Sequence, residues 1–490
     1  MKLTHTIKKG VRKALHTQKQ PLIRLMIIAA LLGMWGCTVF TPEKRLTPAD
    51  ELPPAFSLYS QTESRPAAWW ARFGSPELER LVTRALGHNF SIREAKARLD
   101  QARAVAAETG AQRLPQLEME AEAATLRTRT ERSGETSAQE YSLGIGAGYE
   151  IDLWGRVASE LQAARLDRAA VAEDLFTASM SVAGEVAQAW LGIIGQRMEL
   201  EILEQQLETN RTLQELVDLR FRKGMVSALD VYQQKQAVAG ITASIPLVRL
   251  QETELSHQLT YLLGNPPKTD LNIGADKFPE LKALPAIGIP ADLLANRPDV
   301  RAAGLRLRSA DWSVAAARAD RLPALRLTAQ AAYSSNEVQT LFDNWILNLM
   351  GSLTGPIFDG NRRKAEVLRT RAVARERVAA YGKVVFAAVK EVEDALVRET
   401  RHREHLSALE QELTVSQSAL REARERYMRG LNDYLPVLTQ LLSNQRLERD
   451  ILQMKRQLIS DRIDLYRSLG GQWETDTAAS IIPLKKQKES

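Results

Sequence analysis

"YSLGIGAGYEID", residues 141–152, has two interleaved sets of residues. Tyr141, Leu143, Ile145, Ala147, Tyr149 and Ile151 form one. Ser142, Gly144, Gly146, Gly148, Glu150 and Asp152 form the other. A period of two marks a strand with one apolar and one polar face. Upstream, Leu117, Met119 and Ala121 alternate with Glu118, Glu120 and Glu122. Far downstream, Leu325, Leu327, Ala329 and Ala331 alternate with Arg326, Thr328 and Gln330, and Trp345, Leu347, Leu349 and Leu353 share one face of a fourth strand. The strand pairs are predicted within 114–152 and 323–358. Polar loops, "RTRTERSGETSAQE" (127–140) and "SSNEVQTLFDN" (334–344), are expected within the pairs.

Each pair is followed by a long stretch of helical composition. Residues 156–222 and 362–429 contain no proline. A helix over the first would be about 100 Å long at 1.5 Å per residue. Gly224 and Gly430 sit where each helix must reverse, because glycine takes φ > 0 at little cost. Before the first strand pair, Ser75 precedes Pro76 as a helix start, and Ser91 with Glu94 reads as a capping box.

These features recur because the chain is duplicated. "RFRKGMVSALDV" (220–231) matches "RYMRGLNDYLPV" (426–437), an offset of 206 from Arg220 to Arg426. "AKARLDQARAVAAETGAQRLPQL" (95–117) matches "AGLRLRSADWSVAAARADRLPAL" (303–325), an offset of 208 from Pro115 to Pro323. The first repeat spans 75–264 and the second 290–470. A Pro-rich joint, 265–289, lies between them, and 471–490 is a tail.

Four strands with an apolar and a polar face match the outside and inside of a transmembrane β-barrel. Four strands cannot close, and open edges do not occur in lipid, so several chains must contribute to one barrel. The pattern requires an oligomer without setting its number.

The N-terminus explains the charge. Lys2, Lys8, Lys9, Arg12, Lys13, Lys19 and Arg24 precede an apolar run from Leu25 to Trp35. About 11 residues are too few to span a bilayer, which takes roughly 20. The pattern reads as a signal peptide over 1–36 ending at Cys37, the chain's one cysteine, as in a lipoprotein. Residues 37–74 then form a lipid-anchored extension. Met34 and Trp35 depart from the usual lipobox. The whole chain has 66 basic and 60 acidic residues; losing the leader leaves 59 basic residues. Nothing in that balance points to nucleic acid. No disulfide framework is possible.

No catalytic constellation emerges. His402 and His405 are spaced for a metal but sit among Arg401, Arg403 and Glu404, as on a solvated helix face. No nucleotide-binding motif is present, so energy must come from a partner. No enzyme activity and no cofactor are expected, only a covalent lipid on Cys37.

"YEIDLWGRVASE" (149–160), "GPIFDGNRRKAE" (355–366), "ANRPDVRAA" (295–303) and the two tip motifs carry a resemblance over nearly all of residues 45–472. The chain resembles the outer membrane factor (TolC) family, in particular the lipoprotein NodT/OprM-like branch of multidrug-efflux outer membrane channels. The resemblance implies an α+β membrane protein. Three chains each give four strands to a 12-stranded transmembrane β-barrel. A long periplasmic α-helical barrel continues it, with an equatorial belt around its middle. It further implies a homotrimer in the outer membrane of a Gram-negative bacterium. There it would be a passive gated duct that works with a periplasmic adaptor protein and an inner-membrane pump. The adaptor is expected to dock on the tips, at Gly224, Met225, Val226, Gly430 and Leu431. Family gates use Asp rings just inside the tips, and Asp230 occupies the matching first-repeat position. The second repeat departs, with Pro436 and Thr439 at those positions and Asp433 nearby. Arg220 and Arg426 are candidate partners for these carboxylates. Three copies of a carboxylate near one axis would attract cations. A type I protein-secretion duct and a pore-free periplasmic lipoprotein scaffold remain open alternatives.

Overall fold

The computed structural model describes residues 40–42, 52–53, 68–130, 134–269, 271–284 and 290–470. Cys37, the signal segment 1–36 and the tail 471–490 lie outside them, as does most of 37–74. The chain divides into two compact units. One comprises Asp100–Ala170 and Gly304–Ala380. The other comprises Thr47–Leu99, Val171–Ala303 and Tyr381–Ser490.

The helices are α1 (Pro76–His88), α2 (Phe90–Ala111), α3 (Arg156–Arg222), α4 (Ala228–Leu262), α5 (Asp292–Asn296), α6 (Pro298–Ala319), α7 (Arg362–Met428) and α8 (Tyr434–Ser468). The strands are β1 (Gln116–Thr130), β2 (Gly134–Ile151), β3 (Ala324–Ser335) and β4 (Trp345–Thr354). Ser75 caps α1, accepting from the Leu78 amide at 3.2 Å, with Pro76 at its first position. The expected capping box at Ser91 does not form. Asn89 takes that role, its Oδ1 accepting from the amides of Ser91 (2.8 Å) and Ile92 (3.2 Å). The helix starts one residue before Ser91, so the serine amide becomes a donor in its first turn.

In the first unit the strands form one antiparallel sheet in the order β1-β2-β3-β4. Paired residues share a face. The row Leu117–Ala147–Ala329–Leu349 crosses all four strands, as does Glu118–Gly146–Gln330–Asn348. The alternation in each strand therefore adds up to one apolar and one polar face. The apolar face is unburied within the chain: Met119 is 78% exposed and Leu349 68%.

The expected loop at 127–140 is mostly strand. The β1–β2 ladder continues through Arg127–Ser137 and Thr128–Thr136. Backbone pairing does not need apolar side chains once the hairpin leaves the apolar band, so polarity was a poor guide to the boundary. The strand region expected to reach 358 ends at Thr354. At the strand-to-helix corners the backbone turns through positive φ at Gly155 (73°) and Asn361 (67°), equivalent positions in the two repeats. Asp152 caps α3 by accepting from Val157 and Ala158 amides. Trp154 Nε1 donates to the Pro323 carbonyl at 2.7 Å.

The second unit holds the largest core, built from Trp69, Trp70, Phe73 and α1 against the 175–194 part of α3 and the end of α8. Trp69 stacks on Tyr466 with ring centres 5.8 Å apart. A Cβ at Gly192 would come 2.9 Å from Leu255, so glycine sets how closely α3 and α4 approach. Arg462 and Glu399, both buried, are ion-paired between α7 and α8. Arg462 also donates to the carbonyls of Lys282 and Ala283 and so fastens the joint. Desolvation offsets most of the attraction in a buried pair of this kind, so it adds little net stability. His402 departs from the expected solvated face: its Nδ1 lies 2.6 Å from Oδ2 of buried Asp461. His405 is exposed as expected. No group of side chains suited to a metal occurs among the described residues.

Candidate functional site: the helix tips

Both tips belong to the second unit and end their helices the same way. At the first, the Gly224 amide donates to the Phe221 carbonyl (2.9 Å) and the Met225 amide to that of Arg220 (2.9 Å). At the second, Gly430 donates to Tyr427 (3.1 Å) and Leu431 to Arg426 (2.9 Å). These paired bonds are a Schellman C-cap, and Gly224 and Gly430 supply its left-handed residue at φ 71° and 74°.

The next helices start differently. Ser227 caps α4 in a capping box with Asp230. Asp230 Oδ2 accepts from the Ser227 amide (2.9 Å) and hydroxyl (2.8 Å), while Ser227 Oγ accepts from the Asp230 amide (3.3 Å). Asp433 stands at the cap of α8 but makes no side-chain cap bond and is exposed.

Between the tips lies a small core of Val217, Val231, Leu420, Ala423, Tyr427, Tyr434, Val437, Leu438 and Leu441. A polar chain threads it. Tyr434 OH donates to Gln234 Oε1 (2.5 Å), Gln234 Nε2 donates to the Asn210 carbonyl (2.7 Å), and Asn210 Nδ2 donates to the Gln206 carbonyl (2.8 Å). Burial, then the neighbouring Tyr427 and Asp230, push the Tyr434 phenol far above its ordinary range, so it stays a donor. The Arg220 guanidinium lies 4.4 Å over the Tyr427 ring.

The predicted residues thus separate. Met225 and Leu431 are exposed apolar groups, joined by Leu229, Met428 and Leu435, while Val226 packs against the tip core. A tip cavity of about 840 Å³ is lined by Gly224, Met225, Asp230, Gly430 and Asp433 among others. Arg220 packs on an aromatic ring rather than on Asp230 or Asp433. Arg426 reaches Asn432 (3.3 Å) and Glu422 (4.0 Å). Sequence reasoning missed Tyr434, Gln234 and Asn210. The one available signal was that Tyr434 replaces the Ala228 of the first repeat.

Comparison with known proteins agrees with this architecture. The outer membrane efflux protein family model matches residues 81–265 and 289–471. The chain is 30% identical over 477 residues to the pyoverdine export outer membrane protein OpmQ of Pseudomonas putida, covering 92% of this chain and 98% of that protein. It is 32% identical over 415 residues to outer membrane protein OprJ of Pseudomonas aeruginosa, covering 83% and 86%. A crystal structure of a membrane protein from Pseudomonas aeruginosa superposes with a TM-score of 0.82 at 30% identity, covering 88% of this chain and all of that one. Duplicated strand pairs, long hairpins and these matches together make the chain a member of the outer membrane efflux protein family, a family of outer-membrane channels.

Proposed function

We propose that three copies of this chain close one barrel in the outer membrane and form the exit duct of a tripartite efflux system for small molecules. The observation that carries this reading is the sheet: four strands, one unburied apolar face, and two edges that have no partner strand among the described residues. Such a sheet is stable in lipid only when closed. The duct is passive, and an inner-membrane pump supplies the energy. The exposed Met225, Leu229, Met428, Leu431 and Leu435 support docking of a periplasmic adaptor at the tips. A lipid on Cys37 adds a second attachment to the membrane.

The gate falls to Asp433 more than to Asp230, because the Asp230 carboxylate is already committed to its cap. Single-channel recording in planar bilayers tests both points. Wild-type protein should conduct weakly, Asp433→Ala should raise the conductance clearly, and Asp230→Ala should raise it less. A protein that stays silent with both residues replaced, and runs as a monomer in mild detergent, is a spacer and not a duct.

A further inference from the structure

The duplication carries strand register as well as sequence. β1 maps onto β3 with the offset from Pro115 to Pro323, and β2 maps onto β4 with the offset from Gly155 to Asn361. Moved by these offsets, the pair Gln116–Gly148 becomes Ala324–Thr354, and Leu117–Ala147 becomes Leu325–Leu353. Both are observed pairs. The two hairpins share one register, so the offsets hold in the backbone.

The β2–β3 junction can be moved in the same way, and its counterpart joins β4 of one copy to β1 of the next. Ala147–Ala329 becomes Leu353–Ala121, Ile145–Ala331 becomes Gly351–Ala123, and Gly144–Ala332 becomes Met350–Ala124. We infer that β4 pairs with β1 of a second copy of this chain in this register, sealed on the polar face by Leu126, Ile346 and Met350. The inference rests on the closed-barrel reading above.

A second observation converges on the same register. Leu126, Ile346 and Met350 are large apolar residues on the otherwise polar face, 66%, 60% and 54% exposed. All three lie on the edge strands; the central strands offer Ser142, Gly144, Thr328 and Gln330 there. In the inferred register Leu126 faces Asn348 of the next copy, whose neighbours on the same face of β4 are Ile346 and Met350. Diagonal neighbours of this kind are within reach of long side chains. A slip by two residues in either direction separates Leu126 from one of the two. A slip by one places the apolar residues of β4 against the polar face of β1.

Disulfide trapping in the full-length protein tests the register, with copper–phenanthroline as oxidant. The pairs Ala121→Cys with Leu353→Cys and Ala124→Cys with Met350→Cys should give covalent trimers. The slipped pairs Ala121→Cys with Gly351→Cys and Ala123→Cys with Leu353→Cys should stay largely monomeric on denaturing gels, because diagonal sites lie beyond disulfide reach. Wild-type trimers whose variants cross-link only through slipped pairs overturn the register and leave the barrel standing. Wild-type chains that sediment as monomers overturn the barrel itself. A second measurement avoids new cysteines: Leu126→Glu and Met350→Glu should lower the temperature at which the trimer dissociates, while Gln330→Glu on a central strand should not. Trimers of Met350→Glu and Leu126→Glu that dissociate like wild type refute the apolar seal.

Discussion

The two tips have one backbone and two chemistries. Each reverses through a glycine at φ near 70° with the same pair of hydrogen bonds. Beyond the glycine the repeats part. Ser227 and Asp230 lock the first helix start, and their counterparts are Asp433 and Pro436. Phe221 of the first tip is exposed, and its counterpart Tyr427 is buried beneath Arg220. Duplication preserved the turn, which backbone geometry imposes, and let the side chains specialise. One carboxylate became a structural cap, and the other makes no cap bond and stays exposed.

The largest expected effect tests the specialised side. Tyr434→Ala removes a buried aromatic ring and the donor to Gln234, and should cost about 3–5 kcal/mol of stability, read from denaturant unfolding. Ala228→Gly, at the equivalent exposed position at the start of α4, should cost at most about 1 kcal/mol. A Tyr434→Ala loss no larger than that would remove the distinction between the tips.

Next comes the shared side. A Cβ meets nothing within 4 Å at Gly224 or at Gly430, so only the left-handed backbone resists substitution. Gly224→Ala and Gly430→Ala should each cost about 1–2 kcal/mol, and nearly equally. Amide exchange at the two turns would detect an imbalance, and a large one would show that the turns are not equivalent.

The smallest effect separates the caps. Ser227→Ala should cost about 1 kcal/mol, whereas Asp433→Ala should leave stability within about 0.5 kcal/mol of wild type. Thermal melts of the two variants decide it. If Asp433→Ala is the more damaging, Asp433 is a structural residue and the gate assignment moves away from it.

Much of this architecture was legible in advance. The alternation at 141–152 and 325–331 was enough to find the strands and their apolar face, and the two tip glycines were enough to find the reversals. The hairpin from 127 to 140 was misread because its ladder continues on backbone bonds alone. The tip core was missed because Tyr434, Gln234 and Asn210 lie far apart in the chain and no local pattern joins them. The Asp230 position was visible, and so was its Ser-x-x-Asp spacing from Ser227, a capping-box signal that the gate reading passed over.

By itself the sequence determined what repeats and what alternates: two tandem copies, a two-faced sheet in each chain, long helices, and glycines where φ must be positive. These are local constraints, set by the backbone and by periodicity. The tertiary structure alone decided which distant groups meet. It placed His402 on Asp461, Arg462 on Glu399 and the joint, and Arg220 over Tyr427. It also turned four alternating strands into one continuous register. Those pairings depend on where separate elements lie in space, and a pattern of neighbouring residues carries no such distance.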